Sequence, residues 1–434
     1  MAVDTDLLPG LPKLPADWAW RPLGEIALRE RGICYGIVQP GQEVADGVPV
    51  LRVQDLGSGT VDASSVKKVH PDVEAAYQRS RLRGGEILLS LVGTLGSVVL
   101  APPEVAGFNV ARAVGVIPVD EEVARFTTLA MRSPVVQRYC RQWATTTVQA
   151  TLNLRDVKRL PIPWPPIDEQ RRIATILGAL DDKIELNRKM NRTLEEMAQA
   201  IFKSWFIDFD GHDDLVDSEI GPVPRGWALG GPDAIIEFDP TIPLRKGTEA
   251  VYADMKAIPT SGPAVSEWTR RAYAGGTRFQ QGDTLLARIT PCLENGKSAL
   301  VDFLAEGEIA FGSTEFIVLR PRRGVPRVWP YCLVRHEPFR AHAIANMTGS
   351  SGRQRVSAAA LLGFRLAVPP AEVLGRFGVT TDPLFQRITA NTRESTTLTT
   401  LRDALLPKLI SGELRVPEAE RIVDAVPSAK GTLS

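Results

Sequence analysis

The sequence predicts an α+β chain in which two similar globular halves alternate with two long helices. Three observations carry this. Residues 173–206 keep a single apolar helical seam over more than four heptads. The pattern around that seam returns 204 residues later. Between the two copies lie short apolar runs separated by Gly-rich turns, the mark of short strands.

The first long helix is read from its steps. Ile173, Leu177, Leu180 and Ile184 are followed by Leu194, Ala198, Ile201 and Trp205, with Asn187 and Asn191 in the two intervening places. Steps of four and three alternate throughout, which is the seam spacing of a coiled coil, so a partner helix is expected. At 1.5 Å per residue the stretch spans roughly 50 Å. A buried Asn on such a seam costs stability but fixes register.

The second copy maps Ile184 to Ile388, Asn187 to Asn391, Leu194 to Leu398, Ile201 to Leu405 and Trp205 to Leu409. Asp382 and Pro383 read as an N-cap and a first helical position, Pro407 as a kink or an end, and Gly412 as a stop. Thr381, Ser395 and Arg402 fall on its seam, so a shorter and more polar surface is expected.

The repeat extends backwards to "VQATLNLRDVKRLPIPWPP" and "RQRVSAAALLGFRLAVPP", and to "RGGEILLSLVGTLGSVVLAP" and "FQQGDTLLARITPCLENGKSALV". Both halves open with Pro-x-x-Trp, at Pro15 and Pro224. The expected segments are a first globule at 1–166, a central helix at 167–210, a second globule at 211–370, a second helix at 371–415 and a polar tail without stable structure at 416–434.

A chain of 434 residues has room for two or three cores of its own. The acidic, Pro-containing start is not a signal peptide, and the longest uncharged run, 87–103, is broken by Gly93, Gly96, Pro102 and Pro103 into strands. Cys34, Cys140, Cys292 and Cys332 lack metal-ligand spacing, which points to a reduced, cytoplasmic setting. Formal net charge is zero, yet 125–159 holds seven Lys or Arg against one acid, and 320–365 nine Arg against one acid. Six acids gather instead between Asp208 and Glu219. Two basic surfaces are expected.

Catalytic signatures are missing. No GxGxxG or GxxxxGK[ST] loop is present to hold a nucleotide or methyl donor, and the four His form no metal cluster. Asp283, Glu294 and Lys297 loosely suggest a nuclease set, but "ENGK" is one residue too long for E-x-K.

In "LPIPWPPIDEQRRIATIL", "IFKSWFIDFD" and "LRDALLPKLISGEL" the chain resembles the specificity subunit of type I restriction–modification systems, over nearly its whole length from Pro15 to about Val416. The resemblance implies a non-catalytic protein with two target recognition domains, each reading one half of a bipartite DNA site, and two spacer helices packed as an antiparallel coiled coil. It implies double-stranded DNA, adenine methyltransferase (modification) subunits and an ATP-dependent restriction subunit as partners. S-adenosylmethionine, ATP and Mg2+ would be carried by those partners, with no cofactor or metal on this chain. A bivalent protein-binding scaffold, or a self-contained nuclease or methyltransferase, are the rival readings.

Reading DNA requires phosphate contacts for position and polar groups at base edges for sequence. Two polar loops inside the basic tracts fit, 145–153 and 348–356. The DNA-contact candidates are Ser90, Thr94, Arg112, Thr147, Gln149 and Asn153 in the first half, and Arg288, Thr290, Lys297, Arg353, Gln354 and Arg355 in the second. Trp205, Phe206, Phe209 and the "LPKLISG" segment are candidates for docking a modification subunit.

Overall fold

The computed structural model describes residues 11–57, 59–63, 66–146, 150–350 and 352–427. It divides into two compact units, Met1–Glu185 with Thr396–Ser434, and Leu186–Ser395. The long helices Ile167–Phe206 and Ala371–Ser411 each contribute to both.

In the first unit, Ile87–Ser90 and Val114–Ile117 are the buried centre of an antiparallel four-stranded sheet, flanked by Cys34–Tyr35 and Val98–Leu100. All eight residues of the two central strands are buried, so they read as continuous apolar runs and not as an alternation. A three-stranded sheet sets Val48–Leu51 between Lys67–Val69, antiparallel, and Asn109–Val110, parallel. Ala19–Pro22 pairs with Pro161–Trp164, bringing the two ends of the globule together. Asp120 caps the helix Glu121–Arg132 by accepting from the Glu122 N–H (2.9 Å).

The second unit repeats this plan. Phe316–Pro321 and Thr284–Ala287 are the centre of an antiparallel sheet edged by Ile236–Phe238 and Ser298–Leu300. Glu249–Ala253 again runs parallel to one neighbour, Ile309–Gly312, and antiparallel to another, Thr269–Ala272. This sheet has a fourth strand, Thr277–Gln280. Ala228–Gly230 pairs with Leu366–Val368 as Ala19–Pro22 does in the first unit. Even the opening turns match: Trp18 N–H donates to Pro15 (3.0 Å) and Trp227 N–H to Pro224 (3.1 Å). The sequence repeat is a repeat of topology.

The long helices pack against each other within each unit. In the second, Asn187 Nδ2 donates to Glu394 Oε2 (2.7 Å), Ser395 Oγ (3.2 Å) and the Asn391 carbonyl (3.4 Å), while Asn191 reaches Thr392 Oγ1 (3.2 Å). Numbers rise on one helix as they fall on the other, so the pair is antiparallel. Asn391 Nδ2 closes the network on Asn191 Oδ1 (2.8 Å), with Asn187 and Asn391 fully buried. Ile388 is buried beside them, and Leu194 and Ile201 are partly buried in the same core. In the first unit Leu180, Ile184, Leu398 and Leu405 share one core. There Arg402 on the seam donates to Asp181 Oδ1 (2.8 Å), whose Oδ2 accepts from Arg132 (3.0 Å).

Asn187 Oδ1 has no partner, but its Nδ2 serves Glu394, Ser395 and the Asn391 carbonyl, so replacing Asn187 takes a donor from three acceptors. Asn187→Leu is expected to destabilise the protein by about 1–3 kcal/mol in chemical denaturation, the range for orphaning a buried polar partner. Asn191 and Asn391 are mutual side-chain partners, so replacing both by leucine should cost less than the sum of the two single replacements. Equal stability of the single variant and wild type would contradict the network.

Three expectations are corrected. The second helix does not start at Asp382: it begins at Ala371, runs 41 residues against 40 in the first, and passes through both Pro383 and Pro407. The carbonyls those prolines leave without a donor belong to Val379 and Asp403, both exposed, where water can take the place of the missing N–H. The expected tail contains a helix, Val416–Asp424, because Val416, Ala419 and Val423 fall on one face and enter the first core. Phe206 and Phe209 do not form a docking surface. They are buried against Trp227, and Phe206 also meets Trp329 (5.9 Å) and Phe377 (5.0 Å). Leu409 and Ile410 of the matching segment are likewise in the first core.

Candidate nucleic-acid interface

The second strand of each central hairpin is reached through a polar turn, and in both units that turn is where the predicted polar loop is pinned. In the first unit, Val92 bridges Thr151, and Leu152 N–H donates to the Leu91 carbonyl (2.9 Å). Leu91 N–H donates in turn to Ala113 (2.8 Å), so the segment carrying Arg112 arrives at the same place. In the second unit, Ile289 bridges Arg355, Val356 N–H donates to Arg288 (3.0 Å), and Arg288 N–H donates to Glu315 (3.0 Å). Three chain segments distant in sequence thus converge twice on one plan.

Thr94, Arg112 and Asn153 are exposed around the first convergence. Thr147 and Gln149 lie outside the described residues. Ser90 is a correction: it is fully buried, its Oγ donating to the Thr94 carbonyl and accepting from Ser97 N–H (2.8 Å), so it closes the hairpin.

Around the second convergence Arg353 is exposed at the loop tip, and Gln354 is half-buried with its carbonyl taken by Thr290 N–H (3.0 Å) and Oγ1 (3.3 Å). Gly349 has φ +125°, and a Cβ there would stand 3.0 Å from the Arg353 carbonyl, so the loop needs glycine to turn. Arg355 and Lys297 both have partners within the unit. Arg355 forms a two-pronged pair with Glu315 (Nε–Oε2 2.8 Å, Nη2–Oε1 2.6 Å), whose carboxyl is held below its usual range by that bond. Lys297 Nζ is spent on the Met255 carbonyl (2.8 Å). Arg288 is half-buried beside Glu315, whose carboxyl its charge also holds down.

The basic tracts divide in the same way. In the first, Arg125 and Arg132 turn to Asp182 and Asp181 on the long helix, while Arg138, Arg141, Arg155, Lys158 and Arg159 are exposed. In the second, Arg320 binds Asp283 with two bonds (2.8 and 2.7 Å), Arg365 pairs with Glu219 (2.6 Å), and Arg322 and Arg335 donate to the Asp233 and Thr260 carbonyls. Of the nine arginines in this tract, Arg320, Arg335, Arg355 and Arg365 thus meet a carboxylate of their own unit. Asp283 is likewise occupied by Arg320 and by Gln280 N–H (2.8 Å), away from any nuclease-like role. Among the described residues no group of His, Cys, Asp and Glu could hold a metal ion, and no helix is long and apolar enough to cross a membrane.

Sequence reasoning missed Ala113 and Glu315 as the third members of the two convergences. The signal was there in their near-repeat spacing, 202 residues against 204 for Thr151 and Arg355. Only the strand pairing shows it.

Two copies of one α+β module with matching polar loops, each built on the same pair of antiparallel helices, define a protein made to present two related recognition surfaces. Residues 15–196 match the type I restriction modification DNA specificity domain. The chain is 35% identical over 230 residues to the EcoBI specificity subunit of Escherichia coli, an alignment that covers 51% of this chain and 45% of that protein. It is 24% identical over 439 residues to the MjaIX specificity subunit of Methanocaldococcus jannaschii, covering 94% and 95%. The fold resembles that of the S subunit from M. genitalium, with a TM-score of 0.53, 16% identity, and 93% and 98% of the two chains covered. Residues 15–196 are thus similar to a type I restriction modification DNA specificity domain, and the chain as a whole resembles type I restriction enzyme specificity subunits.

Proposed function

We propose that this chain is the sequence-reading, non-catalytic subunit of a type I restriction–modification complex, and that each unit reads one half of a bipartite target in duplex DNA. The observation that carries this is the twofold convergence of hairpin turn, strand end and polar loop, at Leu91, Ala113 and Leu152 and at Arg288, Glu315 and Val356. A site duplicated on one plan but carrying different exposed side chains suits two half-sites of different sequence. Thr94, Arg112 and Asn153 serve one, Arg353 and Gln354 the other. Methyl transfer and cleavage would fall to partner subunits in the cytoplasm, carrying S-adenosylmethionine, ATP and Mg2+.

Selection from random duplexes, using the full chain assembled with its modification subunits, tests the proposal. The expected result is two fixed half-sites separated by an unselected spacer. Exchanging residues 15–165 for another recognition domain should change one half-site and leave the other intact. A single contiguous motif, no motif, or a change in both halves would refute it, the second outcome favouring a protein-binding scaffold.

A further inference from the structure

The second unit holds a cationic surface on the sheet that contains Glu249–Ala253. This four-stranded sheet runs in the order Thr269–Ala272, Glu249–Ala253, Ile309–Gly312, Thr277–Gln280. One face, with Val251, Ala253, Phe279 and Ala310, is core. The other follows from the register. Arg271 lies opposite Ala250, Tyr252 opposite Phe311, and Phe311 opposite Arg278, so these side chains share the outer face.

On that face Tyr252 and Tyr273 both pack on Phe311, with ring centroids 5.1 Å apart in each case. The Arg271 guanidinium lies 3.6 Å from the centre of the Tyr252 ring. The ring face anchors the guanidinium on the sheet and leaves its N–H groups able to donate to an external acceptor. Gly247 N–H donates to the Tyr273 carbonyl (2.8 Å) and Tyr273 N–H to Thr248 (2.8 Å), which fastens the turn bearing Arg245 and Lys246 to the end of this strand pair. Arg245, Lys246 and Arg271 are exposed and Arg278 is half-buried.

The charge on this surface is not cancelled. Between 245 and 280 there are six Lys or Arg and three acids. Lys256 pairs with Glu267 and Arg270 with Glu308, whereas among the described residues no carboxylate pairs with Arg245, Lys246, Arg271 or Arg278. The contrast with the polar loop is direct, since Arg355 there is already bound to Glu315. Edge strands often carry charge merely to block pairing with another chain. That purpose does not require an arginine stacked on a tyrosine, nor cations placed on both edges and on the adjoining turn.

We infer that the outer face of this sheet, with Lys246, Arg271 and Arg278, is a second nucleic-acid contact of the unit, gripping the phosphodiester backbone of duplex DNA beside the half-site that the polar loop reads. The inference rests on the DNA-recognition reading above. A phosphate contact positions the duplex without reading bases, so the surface sets affinity and salt dependence and leaves the target sequence alone.

The test uses the full chain in its complex and the duplex selected by wild type. The Lys246→Gln, Arg271→Gln, Arg278→Gln variant should bind it about tenfold or more weakly near physiological salt. The slope of log K against log salt should fall by about two to three, close to one for each phosphate that the variant no longer neutralises. The selected half-sites should be unchanged. Arg271→Lys keeps the charge without the flat stacked fork, so it should keep the slope and lose part of the affinity. Wild-type binding intact, with a folded triple variant matching it in affinity and slope, overturns this inference and leaves the DNA-recognition reading standing. So does a variant that loses only its hold on the modification subunits. Failure of wild type to select any duplex overturns both.

Discussion

Phe206→Ala is expected to cost about 3–5 kcal/mol of stability, the range for truncating a buried aromatic. Phe206 is 5% exposed and packs on Phe202 (5.4 Å) and Trp227 (6.3 Å) with tilted rings and on Trp329 (5.9 Å) and Phe377 (5.0 Å) edge to face. Its removal forfeits apolar burial, leaves a cavity, and removes ring pairings worth about 0.5–1.5 kcal/mol each beyond area. Neighbouring Trp205, half-buried with Arg376 over its ring (5.2 Å), should lose only about 1–2 kcal/mol on truncation to alanine. Chemical denaturation of the two variants separates core from surface. Equal and small losses would restore the aromatic cluster as a docking surface.

Asp181→Ala is the second large effect, expected at about 2–4 kcal/mol. Asp181 is the carboxylate between two guanidiniums, Arg132 at 3.0 Å and Arg402 at 2.8 Å, and all three side chains are only about a fifth to a quarter exposed. Burial draws the Arg132 pKa down, and Asp181 opposes that shift. Without the carboxylate two like charges are left together in a poorly solvated place, so breaking the group costs more than the group contributes when whole. Partial exposure keeps the cost below that of a fully buried pair. Arg402 also retains Asp403 (2.7 Å). Replacing all three by apolar residues, Arg132→Met, Asp181→Leu and Arg402→Leu, should recover most of the loss. A single variant within about 0.5 kcal/mol of wild type would mean that solvent already screens the three charges.

These two sites show where sequence reasoning stops. Arg402 is legible as a polar interruption of the seam, but nothing local says that Asp181, more than two hundred residues away, faces it. The aromatic run after the central helix is legible as apolar, but burial against Trp227, Trp329 and Phe377 depends on elements that only folding assembles.

The sequence by itself determined the two long helices, their heptad seams with a buried asparagine on each, the hairpins at 87–100 and 284–300, and the repetition of the whole plan. The helices are written in a period of about 3.5 residues, the plan in one of 204 and the hairpins as short apolar runs between Gly-rich turns, and such patterns survive without knowledge of partners. Tertiary structure alone decided which cations are available. Arg355 and Lys297 look as free in the sequence as Arg353 and Arg271, yet Glu315 and the Met255 carbonyl claim the first two. It also decided that Pro383 lies inside a helix and that Val416–Asp424 folds. The physical reason is common to all of them. Charge, proline and composition act locally as weak preferences of about 1–3 kcal/mol, and contacts between distant segments, worth as much or more, set the outcome.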